Sequence, residues 1–257
     1  MGMNDAYLHR AALVCGDNAM AAMAQRRVIL FGCGGVGSWC AEGLVRSGIC
    51  RLTIVDSDCV CPSNINRQLM ATHSTIGQPK VEAMRQRLLD INPTADIDAR
   101  QLRFTDATAD AFDLDTYDYV IDAIDSLRDK ALLILRATRS RARLFASMGA
   151  ALKMDPTRIR VAEFWRVEGD PLARALRNRF KTDHTLPRRK FLCVYSDERR
   201  QNQPTAIINP DIEAAHDCQA AQARQPNGSL AHITAIFGMT LAGLVIKDIV
   251  GKSSQSE

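Results

Sequence analysis

Short, abrupt apolar runs alternate through the first part of the chain with longer stretches in which apolar residues recur every three or four positions. Runs 27–31, 51–56, 117–124 and 144–150 have the length and continuity of strands buried on both faces of a parallel sheet, and 96–104 reads as a further strand. Between them, Asp17–Gln25, 36–46, a segment beginning near Pro79 and 127–139 read as helices. In the third of these, Val81, Met84, Leu88 and Ile91 supply the helical stripe, and Asn92-Pro93 ends it. Such alternation predicts an α/β fold built on a Rossmann-like, doubly wound sheet with right-handed crossovers.

The texture changes after residue 157. Segments 158–165 and 191–196 read as strands flanking a basic helical segment at 170–181, a polar stretch fills 196–228, and an apolar helix occupies 230–250. This pattern predicts a mixed-strand C-terminal extension of the sheet. The chain reads as a single domain, with a nucleotide-binding core at 27–150 and a substrate- or partner-binding elaboration at 151–257.

At 257 residues and 46% hydrophobic content the chain can bury a sizeable core. A net charge of +4 is only mildly basic, so nucleic-acid contact would require a local patch. The eight cysteines are scattered and form no C-x-x-C pair, which predicts a reducing cytoplasm and no structural zinc. The amino terminus lacks the basic start and apolar run of a secretory signal. Segment 230–250 is about long enough to span a bilayer, but His232, Lys247, Asp248 and its small residues favour a core helix over membrane contact.

Gly32, Gly34 and Gly37, with Gly35 between them, form a G-x-G-x-x-G turn between strand and helix, and Asp56 ends the next strand. A turn of this kind lets backbone N–H groups and a helix N-terminus approach a phosphate, while the acid can accept hydrogen bonds from ribose hydroxyls. NAD sites, ATP sites and ligand-free turns share the pattern. The following residues favour ATP: Asn64, Arg67 and Lys80 can converge on phosphates, and Asp125, at a strand end facing the same crevice, can hold Mg²⁺. Singly, Arg67 or Lys80 could equally be a solvated charge.

The ordered segments GCGGVGSWCAEGLVRSGI, DSDCVCPSNINRQ, IGQPKVEAM, INP and VIDAIDS together resemble the ubiquitin-activating-enzyme-like adenylating superfamily, which includes bacterial enzymes of the thiamine and molybdopterin pathways. The resemblance implies that Asp56 holds ribose, that Asn64, Arg67 and Lys80 hold phosphates, that Asp125 coordinates Mg²⁺, and that AMP is transferred to a carboxylate. Segments 155–181 and 228–247 are similar to the branch that dehydrates N6-threonylcarbamoyladenosine in tRNA, and the absent zinc cysteines separate the chain from most sulfur-carrier activators. Arg174, Arg177, Arg179 and Lys181, followed by Arg188, Arg189 and Lys190, could track a phosphate backbone or form a solvated face.

The rival enzyme reading is activation of the C-terminus of a ubiquitin-like sulfur carrier. A third is a nucleotide-binding scaffold without turnover. The superfamily also implies a homodimer in which an N-terminal arginine reaches the partner's triphosphate, for which Arg10 is the best candidate, and it admits a cysteine-desulfurase or sulfur-acceptor partner. Cys33 is expected only to pack. Cys193 and Cys218 fall where protein-activating relatives keep a thioester cysteine, although a buried thiol is the commoner fate.

Overall fold

A computed structural model of the chain describes residues 3–205 and 227–253. Its elements in chain order are α1 (His9–Cys15), α2 (Asp17–Gln25), β1 (Arg27–Phe31), α3 (Gly37–Arg46), β2 (Arg51–Val55), α4 (Lys80–Ile91), β3 (Asp96–Arg100), β4 (Tyr119–Asp122), α5 (Leu127–Ala137), β5 (Arg143–Ser147), β6 (Ile159–Glu163), α6 (Pro171–Thr182), β7 (Leu192–Ser196) and α7 (Ala231–Ser253). The strands form one seven-stranded sheet in the order β3-β2-β1-β4-β5-β7-β6. Every neighbouring pair is parallel except β6 with β7, so the sheet is mixed only at its C-terminal edge.

Alternation along the central strands explains why both faces are covered. Val28 and Leu30 of β1, with Tyr119 and Ile121 of β4, enter a core shared with α2, α3, α4 and α7. Ile29, Phe31 and Val120 point the other way, into a core with α5 and α6, where Phe31 meets Phe104 and Phe112 edge-on at 4.9 and 5.2 Å.

The main departures from sequence expectation are at element ends. β3 stops at Arg100, where Leu102 N–H bonds back to the Arg100 carbonyl and the chain turns so that Phe104 enters the second core. β4 stops at Asp122 because the Asp122 carboxylate accepts the Ile124 N–H and turns the chain. Helix α1 has no apolar stripe long enough to announce it, and none of its residues is buried. Part of the polar 196–228 stretch, including Cys218, lies outside the described residues.

Helix α7 is long and apolar enough to cross a membrane by length and composition. It buries Ile233, Phe237, Leu241, Val245 and Ile249 along one face. Its start lies over the carboxyl ends of the strands, where His232 Nε2 is 3.0 Å from the Met154 carbonyl oxygen. Its far end is tied to the amino ends: Asp248 accepts Tyr119 Oη–H at 2.8 Å and pairs with Arg143 and Lys252. Between these anchors it crosses α3 at small residues. A Cβ on Gly238 would stand 2.3 Å from the Val36 carbonyl oxygen and 2.8 Å from Cys40 N.

Helices α3 and α4 are joined by Glu42, which is 4% exposed and bound by Arg87 at 2.7 and 3.1 Å and by Arg46 at 2.7 Å. Burial pushes its carboxyl up, but the two guanidinium groups prevail and hold it below the ordinary glutamate range. Its contribution to stability is therefore complete above that range and lost as pH falls through the depressed folded value. Acid denaturation should be shallower in Glu42→Gln, which at neutral pH loses about 1 kcal/mol, the half-exposed arginines being screened; urea titrations across pH measure both. Gly238→Ala should lose about 1–3 kcal/mol by overpacking backbone on backbone, read as a lower thermal midpoint.

Candidate functional site

The turn from β1 into α3 is set by close backbone approach. Gly32 has φ +92°, and a Cβ there would meet the Ala123 carbonyl oxygen at 2.7 Å. At Gly37, the first residue of α3, a Cβ would fall 1.7 Å from the Gly32 carbonyl oxygen. Gly35 faces Thr234 of α7, whereas Gly34 has only Gln68 Nε2 within 4 Å of where its Cβ would be, at 3.9 Å. The turn therefore packs on the sheet and on α7 but stays open over Gly34.

Segment 67–69 is fastened to the first turn of α3. Ser38 Oγ–H donates to the Gly34 carbonyl at 2.7 Å while its oxygen accepts the Leu69 N–H at 3.1 Å, and Trp39 Nε1–H donates to the Arg67 carbonyl at 3.2 Å. Buried Gln68 is thereby directed at the glycine turn, with its Oε1 unpartnered among the described residues.

Asp56, just past β2, accepts the Cys33 N–H at 2.6 Å and the Asp58 N–H at 2.9 Å, bracing the turn from the side. Burial raises its carboxyl above the usual aspartate value, and Lys80 opposes that rise. Lys80 is 6% exposed and pairs with Asp58 at 2.8 Å. Burial works against its ammonium, yet Asp56 and Asp58 outweigh it and hold the group above the ordinary lysine range. Lys80 is thus a fixed positive charge beside Asp56.

Arg67 donates through Nη1 to the Ser63 carbonyl and to Asn66 Oδ1, both at 2.9 Å. Burial lowers its pKa, and the charge of Asp125 acts on it in the opposite direction. Asp125 is exposed on the loop after β4. Asn64 is buried, and its Oδ1 accepts the Cys61 N–H at 3.1 Å. The structure therefore brings the glycine turn, Asp56, Lys80, Arg67 and Asp125 to the carboxyl ends of β1, β2 and β4, while the oxygen of Asn64 is engaged in a local turn.

Sequence reasoning did not single out Asp58, Ser38, Trp39 or Thr234. Their side chains act on backbone or on another side chain near the turn, so no short motif announces them.

The basic residues divide. Arg177 donates to the Phe164 and Val167 carbonyls at 3.0 and 2.8 Å, and Arg189 caps the end of α5 by donating to the carbonyls of Ala137, Thr138, Ser140 and Ala142. Arg179 pairs with Asp183 at 3.3 Å. Arg174, Lys181, Arg188 and Lys190 are exposed and make no ion pair among the described residues. Helix α6 starts beside Gly149, just past the carboxyl end of β5, so Arg174 in its first turn lies toward that edge of the sheet, whereas Arg188 and Lys190 precede β7 at the opposite edge. Arg10 is exposed on α1 and pairs with no site residue among the described residues.

The ThiF family model matches residues 8–257. The chain is 34% identical to tRNA threonylcarbamoyladenosine dehydratase of Bacillus subtilis over 94% of its length and 93% of that protein's. It superimposes on the Escherichia coli tRNA N6-threonylcarbamoyladenosine dehydratase in complex with AMP with a TM-score of 0.84, at 31% identity over 98% of this chain and 96% of that one. The same enzyme in complex with ATP gives 0.83 at 31% identity, over 98% of this chain and 97% of that one. Similarity to the Escherichia coli molybdopterin-synthase adenylyltransferase, at 31% identity, covers 62% of this chain and 61% of that protein. The chain belongs to the ThiF family.

Cys193 is fully buried in β7, and burial raises its thiol well above the ordinary cysteine range, as it does for Cys33. Cys40 is buried likewise, so all three are packing thiols. In the native protein Cys33, Cys40 and Cys193 should resist a small alkylating reagent that labels half-buried Cys15, and all should react after unfolding; peptide mass mapping reads the difference.

Proposed function

We propose that this ThiF-family protein is an ATP-dependent dehydratase acting on N6-threonylcarbamoyladenosine in tRNA. The observation that carries the reading is the convergence of Asp56, Lys80, Arg67 and Asp125 around the open side of a glycine turn, in a chain similar to such dehydratases over nearly its whole length. The sulfur-carrier alternative is favoured less, since likeness to the molybdopterin-synthase adenylyltransferase covers 62% of this chain, against 94% for the dehydratase.

The chemistry has two steps. An oxygen of the threonyl carboxylate attacks the α-phosphorus of ATP, the bond to pyrophosphate breaks, and an acyl adenylate forms. An internal nucleophile of the modified base then attacks the acyl carbon, the bond to AMP breaks and a ring closes. One carboxylate oxygen leaves with AMP, so the nucleoside loses the elements of water while ATP becomes AMP and pyrophosphate. Catalysis here needs positioning and charge stabilisation more than a strong acid or base.

In this reading Gly32, Gly34, Gly35 and Gly37 cradle the nucleotide, Asp56 holds ribose, and Asn64, Arg67 and Lys80 hold phosphates. Asp56 suits its role because each oxygen that accepts a backbone N–H retains a lone pair for a hydroxyl. Asp125 fits Mg²⁺, an ion commonly held by one or two carboxylates with the remaining positions left to phosphates and water; among the described residues no three metal-ligating side chains cluster. Bound there, Mg²⁺ would neutralise charge on the phosphates.

Arg174 is the tRNA-contact candidate nearest the crevice, with Lys181, Arg188 and Lys190 extending outward. A homodimer is supported by α1, where Leu13 and Val14 are 74% and 86% exposed, and Arg10 on that helix is the candidate to reach a partner's site. The free thiols favour a reducing, cytoplasmic setting.

Incubation with Mg²⁺, ATP and tRNA carrying threonylcarbamoyladenosine should remove one water from that nucleoside, detected by mass spectrometry after gentle release; an unchanged nucleoside, with AMP formed only when a small carrier protein is added, would transfer the assignment to the rival. Asp125→Ala should abolish ATP–pyrophosphate exchange with native circular dichroism. Leu13→Glu with Val14→Glu should give monomer mass by light scattering if α1 is the dimer contact.

A further inference from the structure

Two buried charges lie directly behind the loop that carries Asp125. Asp122 ends β4 and Lys130 lies in the first turn of α5; both are fully buried, and Lys130 Nζ pairs with Asp122 Oδ1 at 2.9 Å. Asp122 Oδ1 also accepts the Ile124 N–H at 3.0 Å, and Lys130 Nζ donates to the Ile124 carbonyl at 2.9 Å. The pair therefore grips the N–H and the C=O of the residue immediately before Asp125. One residue earlier, the Ala123 carbonyl lies against Gly32, so the gripped segment is also the wall on which the glycine turn packs.

We infer that Asp122 and Lys130 form a positioning pair that fixes the backbone at 123–125 and so aims Asp125 at the nucleotide. Neither is a catalytic residue. The inference rests on the proposed reading of Asp125 as the Mg²⁺ carboxylate. A stability role alone explains the arrangement poorly, because a fully buried ion pair is a weak source of stability compared with well-packed neutral side chains of similar volume. A neutral pair would fill the same space, but it would leave the Ile124 carbonyl without its charged donor. The residues one shell behind a metal-binding carboxylate commonly set its orientation in this way.

The test uses the full chain and measures the Mg²⁺ concentration that half-saturates ATP binding by calorimetry, together with ATP binding in the absence of Mg²⁺ and circular dichroism. Lys130→Met, and the charge-neutral double variant Asp122→Asn with Lys130→Met, should raise the half-saturating Mg²⁺ about 10- to 100-fold, a much larger change than any in Mg²⁺-free ATP binding. Lys130→Arg, which keeps a charged donor, should restore most of the wild-type value. The double variant removes the risk that a lone buried carboxylate prevents folding. A folded double variant with a wild-type Mg²⁺ requirement would overturn the inference, even if its thermal midpoint fell. Asp125→Asn, run in parallel, separates the two failures. If it raises the Mg²⁺ requirement and the pair variants do not, only the positioning role is lost; if it leaves the requirement unchanged, the reading of Asp125 falls and the positioning role with it.

Discussion

The first turn of α3 has no room for a methyl group at three successive contacts, and the rest of the molecule is arranged around that. Gly32 lies against the Ala123 carbonyl, Gly37 against the Gly32 carbonyl, and Gly238 of α7 against the Val36 carbonyl. Each is backbone against backbone or nearly so, which side-chain rotation cannot relieve. The turn is therefore fixed to β4 on one side and to the C-terminal helix on the other. The N-terminal end of α3 consequently faces a defined opening above Gly34.

Charge is then laid down around a rigid frame. Asp56 reaches the turn through the Cys33 N–H, and Lys80 is held beside it by Asp58. Each charged group is partly satisfied by the protein and retains capacity for a ligand. Little reorganisation is needed when a polyanion enters, which is where a preorganised site gains over water. Glu42 performs a comparable structural task behind the turn: Arg87 of α4 bonds it across the helix pair, and Arg46 of its own helix holds it from the other side.

The strand and helix alternation of residues 27–150 was legible because buried parallel strands are continuous apolar runs and their helices carry a stripe. The glycine turn and Asp56 were legible because their spacing follows from the path of one strand, one turn and one helix. Strand ends were not: β3 and β4 stop where Arg100 and Asp122 accept N–H groups from two residues on, and apolarity continues past both points. Helix α1 was invisible because its seven residues are too few for a stripe and none of them is fully buried. Thr234 and Ser38 were missed because they are ordinary helix residues made important by a partner far away in sequence. Lys130 left one readable sign, a lysine one turn ahead of the apolar residues Leu133, Ile134 and Ala137 that α5 buries. A charge in that setting requires a buried partner.

The basic residues show how far chain order misleads about shape. Residues 174–190 read as one positive cluster, yet two of the arginines are committed to the protein's own carbonyls, and the exposed cations fall on both edges of the sheet. Arg174 lies toward the carboxyl edge of the sheet, while Arg188 and Lys190 lie before β7 at the amino edge, the two edges being about 17 Å apart over five residues at 3.3 Å each. A small anion bound in the crevice cannot reach both. A long polyanion laid along the α6 side of the sheet can, because its phosphates recur on a scale of several ångströms and each cation meets a different one. The same separation means that neutralising Arg188 or Lys190 leaves the geometry around the glycine turn untouched.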